Sequence, residues 1–527
     1  MRMRTNWLGG AGLALALLLP QAGSAAVFKW ANNGDVNAMD PYTRNETFQL
    51  SFNANIYEPL IRRDRNLALE PALATKWEQT SPTVWRFTLR PNVKWQDGTA
   101  FTADDVVFSA NRIRAPTSVM RSILAPVKEV RKIDDLTVEI ETTKVDPIFP
   151  QEITTWSIMS RAWCEKNNAV EPVNLSSNTE NYAVRNAMGT GPFKLVLREP
   201  DRRTILEVNP DWWDKPTHNL TRVELSIVSN AATRVAALLS GDVDMIYSVP
   251  PQDEARIKAT QGLKLIVGPE LRTIFLGLDQ SRPELLQSSV KGKNPFKDAR
   301  VREAFALAID EDAIASRVMR GQAHATWIMF GPGVNGYDPE QDKRPMADVA
   351  RAKALMTEAG YGDGFSLGMD CPNDRYENDE AICTAIAAML ARINVKIDLT
   401  AQTKTRYFNK IGPPDYSTDF YLLGWTPNTY DAHNVFYNLA ITRSPPRGEV
   451  NDGGYSNPQI DALTDQMAVE TDPAKRTAMI HQAVDILQKD FGYIPLHQQV
   501  IAWAAKSNIE LVQMADNYFP LRFVRVK

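Results

Sequence analysis

From about residue 295 the chain repeats one order, an apolar helix, a glycine or asparagine stop, and a strand. It is carried by FKDARVREAFALAIDEDAIASRVM, DVARAKALMTEAGYGDGFSLGMD and ENDEAICTAIAAMLARINVKIDLT. Helices and strands in this alternation bury their apolar faces only against a shared sheet, so the pattern predicts βα units and a mixed α/β sheet flanked by helices. A long helix over 473–490 precedes YIPLHQQVIAWAA, which returns to strand character. Before about residue 275 strand-rich sequence dominates. LTVEIET and FKLVLRE alternate as half-buried strands do, with Gly189-Thr190-Gly191-Pro192 interrupting the backbone between them. Residues 52–60 read as a helix or an extended approach, and AATRVAALLSGDVDMIYSV as a helix, a stop at Gly241 and a short buried strand. A chain of 527 residues exceeds one core of ordinary size, and the change of texture predicts two large lobes. With no low-complexity linker in the sequence, the lobes are expected to join through ordered crossovers near 274–279 and 495–505.

The N-terminus stands apart. In MRMRTNWLGGAGLALALLLPQAGSAA, Arg2 and Arg4 precede an apolar run from Leu8 to Leu19, and small residues follow. This is the layout of a signal peptide over residues 1–25, cleaved after Ala25 or Ala26. No other stretch approaches the roughly 20 apolar residues of a membrane helix. The expectation is an exported soluble chain without a lipid anchor, destined for a bacterial periplasm. With 59 basic against 63 acidic residues and no long basic run, the charge pattern argues against a nucleic-acid partner. Three cysteines are too few for a disulfide framework. Cys371 and Cys383 are close enough to bridge in an oxidising compartment, leaving Cys164 over; the alternative is two buried thiols.

Residues 77–109 form a further unit. Trp85, Phe87 and Leu89 alternate with Arg86, Thr88 and Arg90, Gln96-Asp97-Gly98 supplies a turn, and Thr102 with Asp105 opens a helix as a capping box. Such a corner needs no chemistry of its own. Zinc-protease and phosphate-loop motifs are absent from the sequence, and His218, His324, His433, His481 and His497 are dispersed. The chain therefore reads as a non-enzyme with no cofactor and no metal site.

The segments PALATKW, LRPNVKWQDGTAFTADDVVFS, MGTGPFKL, ALLSGDVDMI, NPFKDARVREAFALAID, KALMTEAGYGDGF, LGWTPNTYDAHNVF and YSNPQIDAL resemble, in order, segments of the family 5 periplasmic solute-binding proteins, which serve peptide and nickel ABC importers. The resemblance implies a large two-lobed binding-protein fold: lobe I over 26–275 with an extra subdomain at about 48–180, lobe II over 276–498, and a return to lobe I over 499–527. It also implies capture of a short peptide or peptide-like solute, delivery to an ABC permease with ATPase subunits in the inner membrane, and a monomer. Nickel or a metal complex is the alternative ligand, with His433 as its one candidate.

The same resemblance nominates a site. After Gly424-Trp425, peptide-binding members carry an aspartate that meets the ligand's α-ammonium, and here Asn428 holds that position. An amide accepts a hydrogen bond but forgoes its charge-assisted part. Asp431 or Glu46 is then a candidate for the missing charge, or the ligand lacks a free amine. Trp425 offers an apolar face, with Tyr430 nearby. Arg375 with Tyr376, and Arg406, are candidates for a ligand carboxylate, because a guanidinium can make two parallel bonds to one. The loop containing Asn45, Glu46 and Thr47 is expected to approach the ligand from lobe I.

Overall fold

Two long strands cross the whole molecule. In the computed structural model, which describes residues 26–527 apart from 174, 176–178, 374 and 445–446, Leu263–Leu278 pairs antiparallel with Ile494–Lys506 along almost its full length. The ladder is interrupted between Pro269 and Thr273, opposite Val500 and Gln498. Proline has no N–H to give, so a break there follows from the sequence. The break lies just before the stretch 274–279 on the first strand and within 495–505 on the second, the two stretches expected as crossovers. The expected signal peptide lies outside the described residues.

On one side of the break the sheet continues from Ile494–Lys506 through Met245–Tyr247, Ala26–Asn32, Leu220–Ile227 and Arg203–Val208 to Phe193–Glu199. On the other it continues from Leu263–Leu278 through Phe420–Trp425 and Phe365–Pro372 to Val395–Gln402. One core gathers Phe28, Trp30, Phe52, Phe87, Trp95, Trp156 and Phe193 with Trp503, Phe519 and Leu521 from the chain's end. Two others belong to the later half: Phe296, Phe305, Leu367 and Phe420 in one, Phe275, Tyr407, Tyr421, Phe436 and Tyr493 in the other.

Against the first core sits a separate four-stranded sheet, ordered Ala74–Ser81, Val84–Leu89, Thr137–Thr142, Val127–Asp134. The helix Ala103–Ile113 carries the expected capping box. Its Asp105 does more than cap, since the carboxylate accepts from Thr102 N at 3.0 Å, Trp95 Nε1 at 3.2 Å and Arg161 N at 2.9 Å. One buried side chain thereby ties turn, helix and a later segment together, which makes this corner scaffold. Elsewhere the helix expected within 52–60 forms earlier, as Thr47–Asn53. The long helical stretch after 295 breaks after Ala308, where Asp310 accepts from Ala313 N at 2.9 Å and caps a new turn. Cys371 and Cys383 are bridged, with Cα atoms 6.5 Å apart, and Cys164 is buried and free.

Candidate functional site

The strand Phe420–Trp425 delivers Gly424 and Trp425 to the break, opposite Ile274 and Thr273. A side chain at Gly424 has no room, for a Cβ there would lie 2.7 Å from Ile274 Cδ1, 2.8 Å from Tyr376 Cε1 and 3.1 Å from Arg272 Cδ. Tyr376 Oη accepts from Gly424 N at 2.9 Å, and burial pushes its phenol pKa up. The Tyr376 turn is pinned by Asp379 Oδ2, which accepts from the backbone N–H of both Arg375 and Tyr376 at 3.0 Å. The Arg375 side chain is exposed, its guanidinium 5.1 Å from the Tyr376 ring centre. Trp425 is half-buried; its Nε1 donates to Asn434 Oδ1 at 2.8 Å, and Asn434 Nδ2 donates to Asn428 Oδ1 at 2.9 Å. Asn428 is therefore exposed at the end of a side-chain relay that orients the indole.

From the other half comes the 45–47 loop, with Asn45 and Glu46 exposed and Thr47 half-buried. Glu46 has a structural duty. It caps Thr47–Asn53, Oε2 accepting from Gln49 N at 2.9 Å. Between the halves stand four residues that sequence reasoning passed over. Arg272 Nη1 lies 3.0 Å from Glu270 Oε1, Asn517 Nδ2 donates to that same oxygen at 3.5 Å, and Tyr247 Oη donates to Asn517 Oδ1. Burial raises the Tyr247 pKa strongly, and Glu270, Glu46 and Asp516 add to this while Arg272 opposes it. Charged groups from the 45–47 loop, the crossing strand and the C-terminal segment thus share one neighbourhood. The signal in the sequence was IVGPELRTIFLGL, where a proline and two charges interrupt an apolar strand.

Three nominations stand apart from the Trp425 group. Asp431 is fully buried, and its acceptor sites are spent: Oδ2 on Arg476 Nη1 at 2.5 Å and Asn335 Nδ2 at 2.8 Å, Oδ1 on Arg476 Nη2 at 2.7 Å and His433 N at 2.9 Å. It has no lone pair to offer an ammonium. Tyr430 stands at φ 58°. Its hydroxyl donates to Asp516 at 2.6 Å and the Arg63 guanidinium lies 3.5 Å from its ring centre, in a cavity it shares with Glu58 and Trp212. Arg406 is exposed on the helix Lys404–Ile411, whose neighbouring Tyr407 is buried and donates to Leu422 O. Among the described residues no contact joins Arg406 to the Trp425 group. His433 is held neutral, its pKa pushed down to about 4 by burial. No group of three or more His, Cys, Asp or Glu side chains among the described residues could hold a metal ion.

The family model described as bacterial extracellular solute-binding proteins, family 5 middle, matches residues 68–444. The chain belongs to this family. The glutathione-binding protein GsiB of Pectobacterium atrosepticum is 23% identical over 527 residues, covering 98% of each chain. The periplasmic oligopeptide-binding protein OppA of Salmonella typhimurium is 26% identical over 510 residues, covering 90% of this chain and 88% of its own. Among solved structures, the periplasmic binding protein DppA of Helicobacter pylori, in complex with the peptide STSA, superposes with a TM-score of 0.77 at 22% identity, covering 95% of this chain and 98% of that one. The fold is that of the two-lobed periplasmic binding proteins, as the family resemblance implied. Trp425, Tyr376, Arg272, Glu270 and Tyr247 gather at the break in the crossing strands.

Proposed function

We propose that this chain is the substrate-binding component of an ABC importer, capturing a short peptide or peptide-like solute between two lobes. The lobes divide at about residues 275 and 498, with lobe I (26–275 and 499–527) carrying the extra subdomain at 48–180 and lobe II spanning 276–498. The protein acts as a periplasmic monomer, hands its ligand to a membrane permease, and catalyses nothing itself, ATP hydrolysis falling to separate subunits. What supports this reading is the closeness of Tyr376 and Arg272 to the glycine-tight strand end that carries Trp425, with Tyr247 and Glu46 in the same electrostatic neighbourhood as Arg272. An aromatic face flanked by separated charges of both signs suits a solute with amide planes and ionised ends. Support also comes from relatives whose names specify glutathione, oligopeptides and a bound tetrapeptide. The nickel alternative has only the neutral, half-buried His433 in its favour.

The test is mass spectrometry of small molecules that co-purify with the exported protein, followed by calorimetric titration with a di- to tetrapeptide set and with nickel. The expected result is a peptide-like ligand whose affinity falls on Trp425→Ala. Heat with nickel alone, and none with any peptide-like compound, overturns the proposal.

A further inference from the structure

Arg272 and Glu270 are two positions apart on the crossing strand, so their side chains leave the same face of it, beside the break in its pairing. Each is committed to the other through a single oxygen. Glu270 Oε1 also takes Asn517 Nδ2, but Oε2 has no protein partner among the described residues, and the remaining Arg272 donors have none either. Both side chains are nevertheless largely removed from water, 14% and 6% exposed, while none of these open atoms is sealed off completely. A buried ion pair offsets its desolvation only when its remaining hydrogen-bonding capacity is used. This one leaves that capacity unused, with the Arg272 stalk packed beside Gly424 and its guanidinium 6.0 Å from the Tyr376 ring centre.

We propose that Arg272 and Glu270 are specificity-determining residues of the ligand site and together take up an α-amino-acid head group, an ammonium and a carboxylate on one carbon, such as γ-linked peptides carry. The pair has no net charge. A lone ammonium at Glu270 would also stand close to the Arg272 guanidinium, and a lone carboxylate at Arg272 close to Glu270, so much of either attraction is cancelled. A head group with both charges on one carbon lies antiparallel to the pair and satisfies both. An α-linked peptide has its charges at opposite ends, up to about 7 Å apart in an extended dipeptide, and can satisfy only one member at a time. This also accounts for the uncharged Asn428, since Glu270 supplies the acceptor charge from a different strand. The inference rests on the reading of the Trp425 cleft as the ligand site.

The experiment is calorimetry on the full mature chain, unfolded and refolded to strip bound solute. The titrants are glutathione, which is γ-linked, its α-linked isomer, and three blocked forms of glutathione: α-N-acetylated, α-carboxyl-amidated and glycine-carboxyl-amidated. The γ-linked tripeptide should bind at least about tenfold more tightly than the α-linked one, the scale of one charge-assisted hydrogen bond. Blocking either group on the α-carbon should remove that advantage, and blocking the glycine end should cost less. Glu270→Gln and Arg272→Gln, each checked for an unchanged unfolding midpoint, should lose the γ preference. Equal affinity for the two isomers overturns the inference using the wild-type chain alone, as do variants that keep the preference. If peptides bind, Trp425→Ala abolishes binding and the isomers are equal, the cleft assignment stands and the head-group inference falls. If neither isomer binds the wild-type chain, the head-group inference falls too, and the wider peptide set decides the cleft assignment separately.

Discussion

Asp452 is 3% exposed, and its Oδ1 has no hydrogen-bond partner. Burial pushes its pKa up to about 8 against the opposing pull of Arg443; Tyr407, Tyr421 and Tyr493 stand close enough for their own pKa values to be raised by its charge. In the unfolded chain an aspartate is ionised above about pH 4. In the folded chain this one holds its proton until about pH 8. Between those values folding takes up a proton, so the contribution to stability is fully present at low pH and is lost as pH rises toward the folded pKa. Asp452→Asn keeps the shape without the titration. Denaturant unfolding at about pH 6 and about pH 8 should show the wild-type protein losing roughly 2–3 kcal/mol more than the variant, at about 1.4 kcal/mol per pKa unit. Parallel losses in the two proteins would mean that Asp452 is ionised in the fold. Asp431 is the contrasting case, a buried carboxylate whose lone pairs are filled by Arg476 and two further donors.

The bridge Cys371–Cys383 ties the strand Phe365–Pro372 to the helix Asp379–Leu390 across a separation of 12 residues. Closing so short a loop removes chain entropy from the unfolded state worth about 3 kcal/mol. Thiol titration of the protein denatured without reductant should find one reactive group, Cys164, and Cys371→Ser with Cys383→Ser should lower stability by about that amount; three reactive thiols would show the bridge absent from the purified protein. Legibility in the sequence follows the range of the forces involved. The helix Pro473–Lys489, the stop at Gly241 and the Thr102–Asp105 box are set by residues a few positions apart, and each could be read directly. The break at Pro269 was harder, because the apolar pattern resumes just beyond it. The structural duty of Asp431 was hidden because its partner Arg476 lies 45 positions away on the helix Pro473–Lys489. Trp425 and Tyr376 were nominated through family resemblance. Glu270 and Arg272 stayed hidden because polar residues in a strand ordinarily face water, and only the assembled junction shows them buried with donors and acceptors to spare.

At the scale of the whole molecule, the crossing strands decide how the two halves can move. Leu263–Gly268 and Thr273–Leu276 are laddered to Ile494–Lys506 on either side of the break. Sliding one half past the other would shift both ladders out of register and expose their backbone groups, whereas bending between Pro269 and Thr273 leaves every pair on each side intact. The cheap motion is therefore a hinge centred where Glu270 and Arg272 project. A ligand held there as proposed would touch the pivot and, through Trp425 and Glu46, both walls; its contacts would be completed only when the walls approach, and binding would favour the closed form by that difference in contact. The contact of Tyr430 with Arg63 and Asp516 lies at the same junction and joins the later half to the first. Small-angle scattering of the stripped chain, alone and saturated with the solute recovered from the exported protein, should show a smaller radius of gyration when saturated and no change in molecular mass. An unchanged profile at saturation would show that the solute is held without closure, and a doubled mass would show that the protein works as a dimer.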